Sequence, residues 1–148
     1  MSENARILVV DDDESVRKVL VAALEREGYA VDTAESGGEA VRKSYENFYN
    51  LALIDIRLPD MEGTRLLSEM KETVPKMVKI IVTGYPLLAN AIEAVKRGAD
   101  DYVVKPFNME KVLGNIKEKL RKQQEERKYS EEKVKEYIET RAKEGGLE

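Results

Sequence analysis

The sequence predicts an α/β domain: five parallel strands in one doubly wound sheet, strand order 2-1-3-4-5, with a C-terminal helical extension. Three observations predict it. Short apolar runs alternate with amphipathic helical patterns from residue 6 to about residue 120. The runs are continuous rather than alternating in polarity, as in strands covered on both faces. Apolar residues make up 42% of the 148, enough to build one core.

The first run is Ile7-Leu8-Val9-Val10, and Val16, Val19, Leu20, Ala23 and Leu24 mark the helix after it, with Gly28 as its stop. Tyr29-Ala30-Val31 is the second strand. Ser36-Gly37-Gly38 precedes a second helix on Ala40, Val41 and Tyr45. Leu51-Ala52-Leu53-Ile54 is the third strand, followed by a helix on Leu66, Leu67 and Met70 that Pro75 closes. Val78 with Ile80-Ile81-Val82 is the fourth, and its helix carries Ala91, Ile92 and Val95 up to Gly98. Tyr102-Val103-Val104 is the fifth, and Asn108 caps a helix on Met109, Val112, Leu113, Ile116 and Leu120. Strict strand–helix alternation with right-handed crossovers leaves few topologies, of which a flavodoxin-like winding is the one expected; in such sheets ligands sit beyond the carboxyl ends of the strands.

Residues 121–148 have another character. They hold eight basic and eight acidic residues, leaving 17 basic and 21 acidic residues in 1–120. No apolar residue occurs from Arg121 to Lys128. Tyr129-Ser130-Glu131-Glu132-Lys133-Val134 reads as a fresh helix start capped by Ser130, and Gly145-Gly146 as its end. Heptads counted from Leu113 put Arg127 and Arg141 on one seam and Gln123 and Ser130 on the other, a poor coiled coil. A charged helical tail or linker outside a domain of residues 5–120 is expected, solvated or passing a signal.

Composition excludes much chemistry. Without cysteine there is no disulfide, thiol nucleophile or cysteine-ligated metal, and without histidine no serine–histidine hydrolase or imidazole catalyst. No apolar stretch is long enough to span a bilayer, so a cytoplasmic chain away from membranes is expected. A net charge of −4 argues against direct nucleic-acid binding. The remaining tools are carboxylates, lysine, hydroxyls and a hard metal ion.

These tools gather at strand ends. The first strand ends in Asp11-Asp12-Asp13, the third in Asp55, the fourth in Thr83-Gly84 and the fifth in Lys105-Pro106. Each has a plainer reading alone: Asp13 as a helix cap, Thr83 as a turn hydroxyl, Lys105-Pro106 as a loop, Tyr102 as core. Together they are harder to dismiss. Like charges on Asp11, Asp12 and Asp55 would repel by about 4 kcal/mol per pair at 4 Å and a dielectric near 20. Either the carboxyl pKa values rise or a cation sits there; Lys105 offsets one charge, and an oxygen-liganded cation such as Mg²⁺ suits the rest. A pocket with a cation, an ammonium and a hydroxyl suits a phosphoryl group, and one carboxylate can then attack phosphorus to form an acyl phosphate.

Ile-Leu-Val-Val-Asp-Asp-Asp-Glu, Leu-Ile-Asp-Ile-Arg-Leu-Pro-Asp-Met-Glu-Gly, Ile-Val-Thr-Gly-Tyr and Asp-Tyr-Val-Val-Lys-Pro-Phe, in this order, resemble the CheY-like receiver domain of two-component response regulators. The likeness covers about residues 5–120. It implies that Asp55 is the phosphoacceptor, and that Asp11, Asp12 and Asp55 hold Mg²⁺ with the backbone carbonyl of Arg57, Asp12 directly and Asp11 through water. It implies that Thr83 follows the phosphoryl group, that Lys105 pairs with it and that Tyr102 turns inward as the switch aromatic. Lys105-Pro106 would be cis. Arg57 and Tyr85 match places that tune phosphoryl lifetime. The implied function is a switch rather than a conventional enzyme, catalysing only its own phosphorylation and autodephosphorylation. Its partner would be a sensor histidine kinase, since this chain has no histidine to carry the donor. A homodimer through the tail, or through the fourth helix, fifth strand and fifth helix, is the further partner expected.

Two other classes compete. Asp11-Asp12-Asp13-Glu14-Ser15 loosely resembles the nucleophile loop of haloacid-dehalogenase phosphatases, but leaves Asp55 without a role. A scaffold with an inert pocket and a working tail is the third. No helix-turn-helix or phosphate-binding glycine loop is visible. The stretch from Val82 to Lys96 looks similar to receivers of transcriptional activators that work through an ATPase.

Overall fold

The computed structural model describes residues 4–84 and 86–144. Five strands, β1 (Arg6–Val10), β2 (Ala30–Ala34), β3 (Leu51–Asp55), β4 (Val78–Thr83) and β5 (Asp101–Val104), alternate with five helices. These are α1 (Glu14–Arg26), α2 (Gly37–Glu46), α3 (Gly63–Glu69), α4 (Leu88–Lys96) and α5 (Met109–Lys143). All strand pairs are parallel, in the order β2-β1-β3-β4-β5. The fold is the one expected.

Successive residues of a strand face opposite sides, and here each side has its own core. Leu8, Val10, Ala52, Ile54 and Ile81 pack beneath Ala40 of α2, Leu66 and Leu67 of α3, and Ala94 of α4. Ile7, Val9, Leu51, Leu53 and Ile80 pack beneath Leu20 and Leu24 of α1, and Val112 and Ile116 of α5. Covering both sides explains the continuous apolar runs of β1, β3 and β4. At about 1.5–3 kcal/mol per fully buried large side chain, these strands supply much of the hydrophobic stabilisation. The edge strands β2 and β5 are only half-buried.

Local signals set the helix ends. Asp13 caps α1 by accepting from Ser15 N and Val16 N, Ser36 caps α2 at Glu39 N, and Asn108 caps α5 at Lys111 N. Gly28 stops α1 at φ +93°, where a side chain would be strained. Its N–H donates to Glu25 O and that of Tyr29 to Leu24 O, closing the helix in a Schellman motif.

Several expectations need correction. Tyr29 lies before β2, and the strand runs on to Ala34. Helix α3 ends at Glu69, well before Pro75. Val19, Tyr45, Ile92 and Val95 face outward, because α1, α2 and α4 each lay only a narrow stripe on the sheet. No fresh start occurs at Ser130: α5 is one helix of 35 residues, about 52 Å long. Residues 121–128 are all good helix formers, and Arg121–Glu118, Arg121–Glu125 and Arg127–Glu131 pairs brace the turns. The expected end at Gly145-Gly146 lies outside the described residues.

Past Leu120 the helix is still attached to the domain. Gln123 is buried; its Nε2 donates to Asn50 O at 2.9 Å and Lys76 O at 2.8 Å, and its Oε1 accepts from Asn50 Nδ2 at 3.2 Å. The same seam that disqualified a coiled coil therefore serves docking against the lower ends of β3 and β4.

Candidate functional site

Register assembles the site. Val10 of β1 pairs with Ile54 of β3, so Asp11, next along the chain, stands beside Asp55. Asp55 pairs with Val82, and Thr83 with Val104, so Thr83 and Lys105 arrive at the same edge. Asp11, Asp12 and Asp55 each offer a carboxylate oxygen within 4.8 Å of the others. Asp11 and Asp55 are buried and Asp12 is exposed, so the cluster opens to solvent on one side.

Lys105 crosses from β5 to this cluster. Its Nζ donates to Asp11 Oδ2 at 2.9 Å and to Asp55 Oδ2 at 3.4 Å. Burial works against the ammonium, but the hydrogen bond and charge of Asp11, then those of Asp55, outweigh it and raise the Lys105 pKa. Asp55 is shifted up from the usual carboxylate range by burial first and by the Asp11 charge second; Lys105 and the Arg57 N–H only partly compensate. One ammonium therefore does not neutralise the crowd. Three carboxylates with oxygen donors only, one of them open to solvent, could hold a hard divalent cation.

The surrounding loops fix these groups. Asp11 Oδ1 accepts from Asp13 N at 2.9 Å and Asp11 N donates to Ala34 O at 3.1 Å. Arg57 N approaches Asp55 Oδ1 at 3.4 Å, and Arg57 forms an isolated antiparallel bridge with Glu62. Gly63 N donates to Ile56 O at 2.6 Å, closing the turn after Asp55. A Cβ on Gly63 would lie 2.2 Å from the Asp55 carbonyl oxygen, so only glycine lets α3 start against the strand end.

Thr83 is completely buried, and its carbonyl accepts from Lys105 N at 2.7 Å. Tyr102 pairs in register with Ile81, and its ring packs on the α4 side of the sheet, the side that Thr83 also faces two residues further along β4. The Tyr102 hydroxyl is buried without a hydrogen-bond partner among the described residues. The Lys105–Pro106 peptide is cis, as the resemblance implied, and so is Val74–Pro75, which nothing in the sequence signalled. Tyr85 lies outside the described residues.

The structure thus brings Asp11, Asp12, Asp55 and Lys105 together and sets Thr83 and Tyr102 on the neighbouring strands. Sequence reasoning missed Arg17 and Asp60. Arg17 Nη1 donates to the Asp11 carbonyl at 2.8 Å, and Asp60 accepts from Gly37 N and Gly38 N, each at 2.8 Å. Those two N–H bonds hold the Asp60 pKa below its ordinary value.

Comparison with known proteins agrees with this geometry. Residues 7–117 match the family described as the response regulator receiver domain. Among curated relatives, the transcriptional regulatory protein ResD of Bacillus subtilis is 37% identical over 121 residues, 82% of this chain and 50% of ResD. ZraR of Klebsiella oxytoca is 40% identical over 80% of this chain and 27% of its own length. The chain therefore spans half or less of these two relatives. Among solved structures, a CheY-like receiver domain protein from Methanospirillum hungatei JF-1 is 47% identical with a TM-score of 0.80, covering 84% of this chain and 99% of that one. The beryllofluoride-activated NtrC4 receiver domain dimer is 39% identical with a TM-score of 0.74, covering 80% of this chain and 98% of that one. Receiver domains are signalling switches rather than conventional enzymes. The chain belongs to the response regulator receiver domain family of two-component systems.

Proposed function

We propose that Asp55 accepts a phosphoryl group from the phosphohistidine of a sensor histidine kinase, and that the resulting charge reshapes the face formed by α4, β5 and α5. The observation that carries this reading is the convergence of Asp11, Asp12, Asp55 and Lys105 at one sheet edge. Asp11, Asp12 and Asp55 would hold Mg²⁺ together with the Arg57 carbonyl. Bound there, the ion supplies positive charge that offsets the carboxylates and the phosphoryl oxygens.

An Asp55 carboxylate oxygen forms the new bond to phosphorus as the donor's P–N bond breaks. The imidazole nitrogen leaves with the electron pair and takes up a proton. Autodephosphorylation is the attack of water on the same phosphorus, which releases inorganic phosphate and restores the carboxylate. Lys105, held between Asp11 and Asp55, pairs with the transferred group, and the Thr83 hydroxyl donates to it. The group adds about −1.5 to −2 charges at the end of β3.

Switching follows from β4 and β5. Movement of the Thr83 side chain toward the phosphoryl group vacates space on the side where Tyr102 packs. A buried hydroxyl without a partner costs about 1–3 kcal/mol, so a rearrangement that gives Tyr102 one is favoured. Moving from mostly off to mostly on takes roughly 5.5 kcal/mol of differential stabilisation, within reach of several charge-assisted bonds.

The face that changes is apolar: Leu87, Leu88, Ile92, Val95 and Val104 are exposed there, and Val134, Tyr137 and Ile138 are exposed on the tail. A homodimer through either surface belongs to this reading, as does a cytoplasmic location. Among the described residues no helix is long and apolar enough to cross a membrane. The relatives are transcriptional regulators, so contact with DNA would come through other domains and not through this one. Titration with beryllofluoride in the presence of Mg²⁺ tests the site. Saturable binding by the wild type and its loss in Asp55→Asn support the reading; equal binding by both, or by neither, overturns it.

A further inference from the structure

The two loops that carry the acidic cluster are fastened to one element that carries none of it. On one side, Arg17 donates through Nη1 to the Asp11 carbonyl at 2.8 Å and through Nη2 to Glu35 Oε1 at 2.9 Å. Its side chain is only 12% exposed, so the Asp11 end of this bridge is shielded, while Glu35, 72% exposed, anchors the other end at the surface. On the other side, Asp60 sits at the tip of the turn that follows Asp55. Its two carboxylate oxygens take the first two N–H groups of α2, Gly37 and Gly38, one each at 2.8 Å.

The bracket between these attachments is short and rigid. Glu39 N donates to the N-cap Ser36 Oγ at 3.2 Å, and the Glu39 carboxylate accepts from Glu35 N, one residue before the cap, at 2.6 Å, a variant of the capping box across the start of α2. Met61, next to Asp60, lies against Gly37 so closely that a Cβ there would meet its Cγ at 2.4 Å. The Asp60 turn is itself closed by Leu58 N donating to Met61 O at 3.2 Å and by the bridge of Arg57 to Glu62. Displacement of Asp60 is therefore passed to Arg57, two residues along the chain from Asp55. Displacement of Arg17 is passed to the Asp11 backbone.

We infer that Arg17 and Asp60 are positioning residues for the divalent-cation site: by tying the β1–α1 and β3–α3 loops to residues 35–39, they set the spacing of Asp11 and Asp12 against Asp55 and Arg57. The inference rests on the reading of that cluster as a Mg²⁺ site. Neither residue is placed to touch the ion. Their action is on where its oxygen donors stand, and second-layer partners of this kind typically change metal affinity 10–100-fold.

Calorimetric titration of the full chain with Mg²⁺ tests it, on the wild type, Arg17→Met, Asp60→Ala, Asp60→Asn and the control Tyr49→Phe. Tyr49 donates to Asp32 Oδ2 at 2.6 Å away from the cluster, so its removal lowers stability without reaching these loops. Arg17→Met and Asp60→Ala are expected to bind Mg²⁺ about tenfold more weakly at a temperature where every variant is folded. Asp60→Asn keeps one acceptor oxygen and is expected to fall in between; Tyr49→Phe is expected to bind like the wild type. Wild-type affinity in either Asp60→Ala or Arg17→Met, or a loss in Tyr49→Phe that matches theirs, overturns the inference while leaving the cation site standing. Absence of Mg²⁺ binding by the wild type overturns the reading on which it rests.

Discussion

The Lys105 ammonium lies nearer Asp11 than Asp55, 2.9 Å from the one carboxylate and 3.4 Å from the other. Without a cation the lysine is the main counter-charge for both. A raised folded pKa means that its contribution is fully present below the ordinary lysine value of 10.5 and is lost only as pH rises through the shifted value. Lys105→Met therefore removes it throughout the neutral range. A loss of about 2 kcal/mol is expected in urea unfolding at neutral pH, below the 3–5 of a fully buried pair because the side chain is 22% exposed. Added Mg²⁺ should recover part of the loss. Unchanged stability would mean that the carboxylates are compensated in another way.

Gly63→Ala tests the close approach beneath the phosphoacceptor. The added methyl cannot coexist with the Asp55 carbonyl at 2.2 Å, so either α3 or the end of β3 must shift. Thermal unfolding should show a cost of about 1–3 kcal/mol, and beryllofluoride binding should weaken with it. A variant with wild-type stability and binding would show that this contact carries no strain.

Lys79 is a buried cation remote from the site, in β4, donating from Nζ to Leu67 O at 2.8 Å. Burial, then the Lys76 charge, lowers its pKa, against weaker support from Glu72 and Asp100. Between the lowered folded value and the ordinary 10.5, the unfolded chain binds more protons, so stability attributable to Lys79 rises with pH. The wild type should therefore gain on Lys79→Met as pH climbs toward 10.5, read as a widening or reversing difference in Tm. A difference that stays flat over this range would contradict the shift.

Gln123→Ala removes the attachment of the long helix to the lower sheet edge, leaving the Lys76 carbonyl without the Gln123 donor and Asn50 Nδ2 without the Gln123 acceptor, while the Asn50 carbonyl keeps its bond from Val78 N. A cost of about 1–3 kcal/mol is expected. Amide exchange should quicken in residues 120–130 while the turns around Ile116 stay protected. Equal exchange in both variants would mean that α5 holds its course without this residue.

Much of this was legible in the sequence because it rests on local pattern. Continuous apolar runs identified β1, β3 and β4, and residues at the ends of parallel strands must share one edge, which is why Asp11, Asp12, Asp55 and Lys105 could be grouped. Other features were not legible. Periodicity finds an apolar stripe but not whether anything covers it, so Ile92 and Val95 looked like core and stand in solvent. Arg17, Asp60 and Gln123 read as ordinary surface charge or polarity. Each bonds a backbone group, for Asp60 and Gln123 one in a distant segment, and a backbone N–H or carbonyl leaves no mark in a sequence. The tail misled for a related reason: Ser130 before two glutamates resembles a cap, yet nothing N-terminal to it breaks the helix.

The most direct measurement is peptide mapping by mass spectrometry after incubation with a small acyl phosphate and Mg²⁺, with the acyl phosphate trapped by borohydride reduction. A single modification at Asp55, absent when Mg²⁺ is chelated and absent from Asp55→Asn, is the expected result. Modification at Asp11 or Asp12 in place of Asp55, or labelling that ignores Mg²⁺, would contradict the central claim that these carboxylates share a cation and leave Asp55 to take the phosphoryl group.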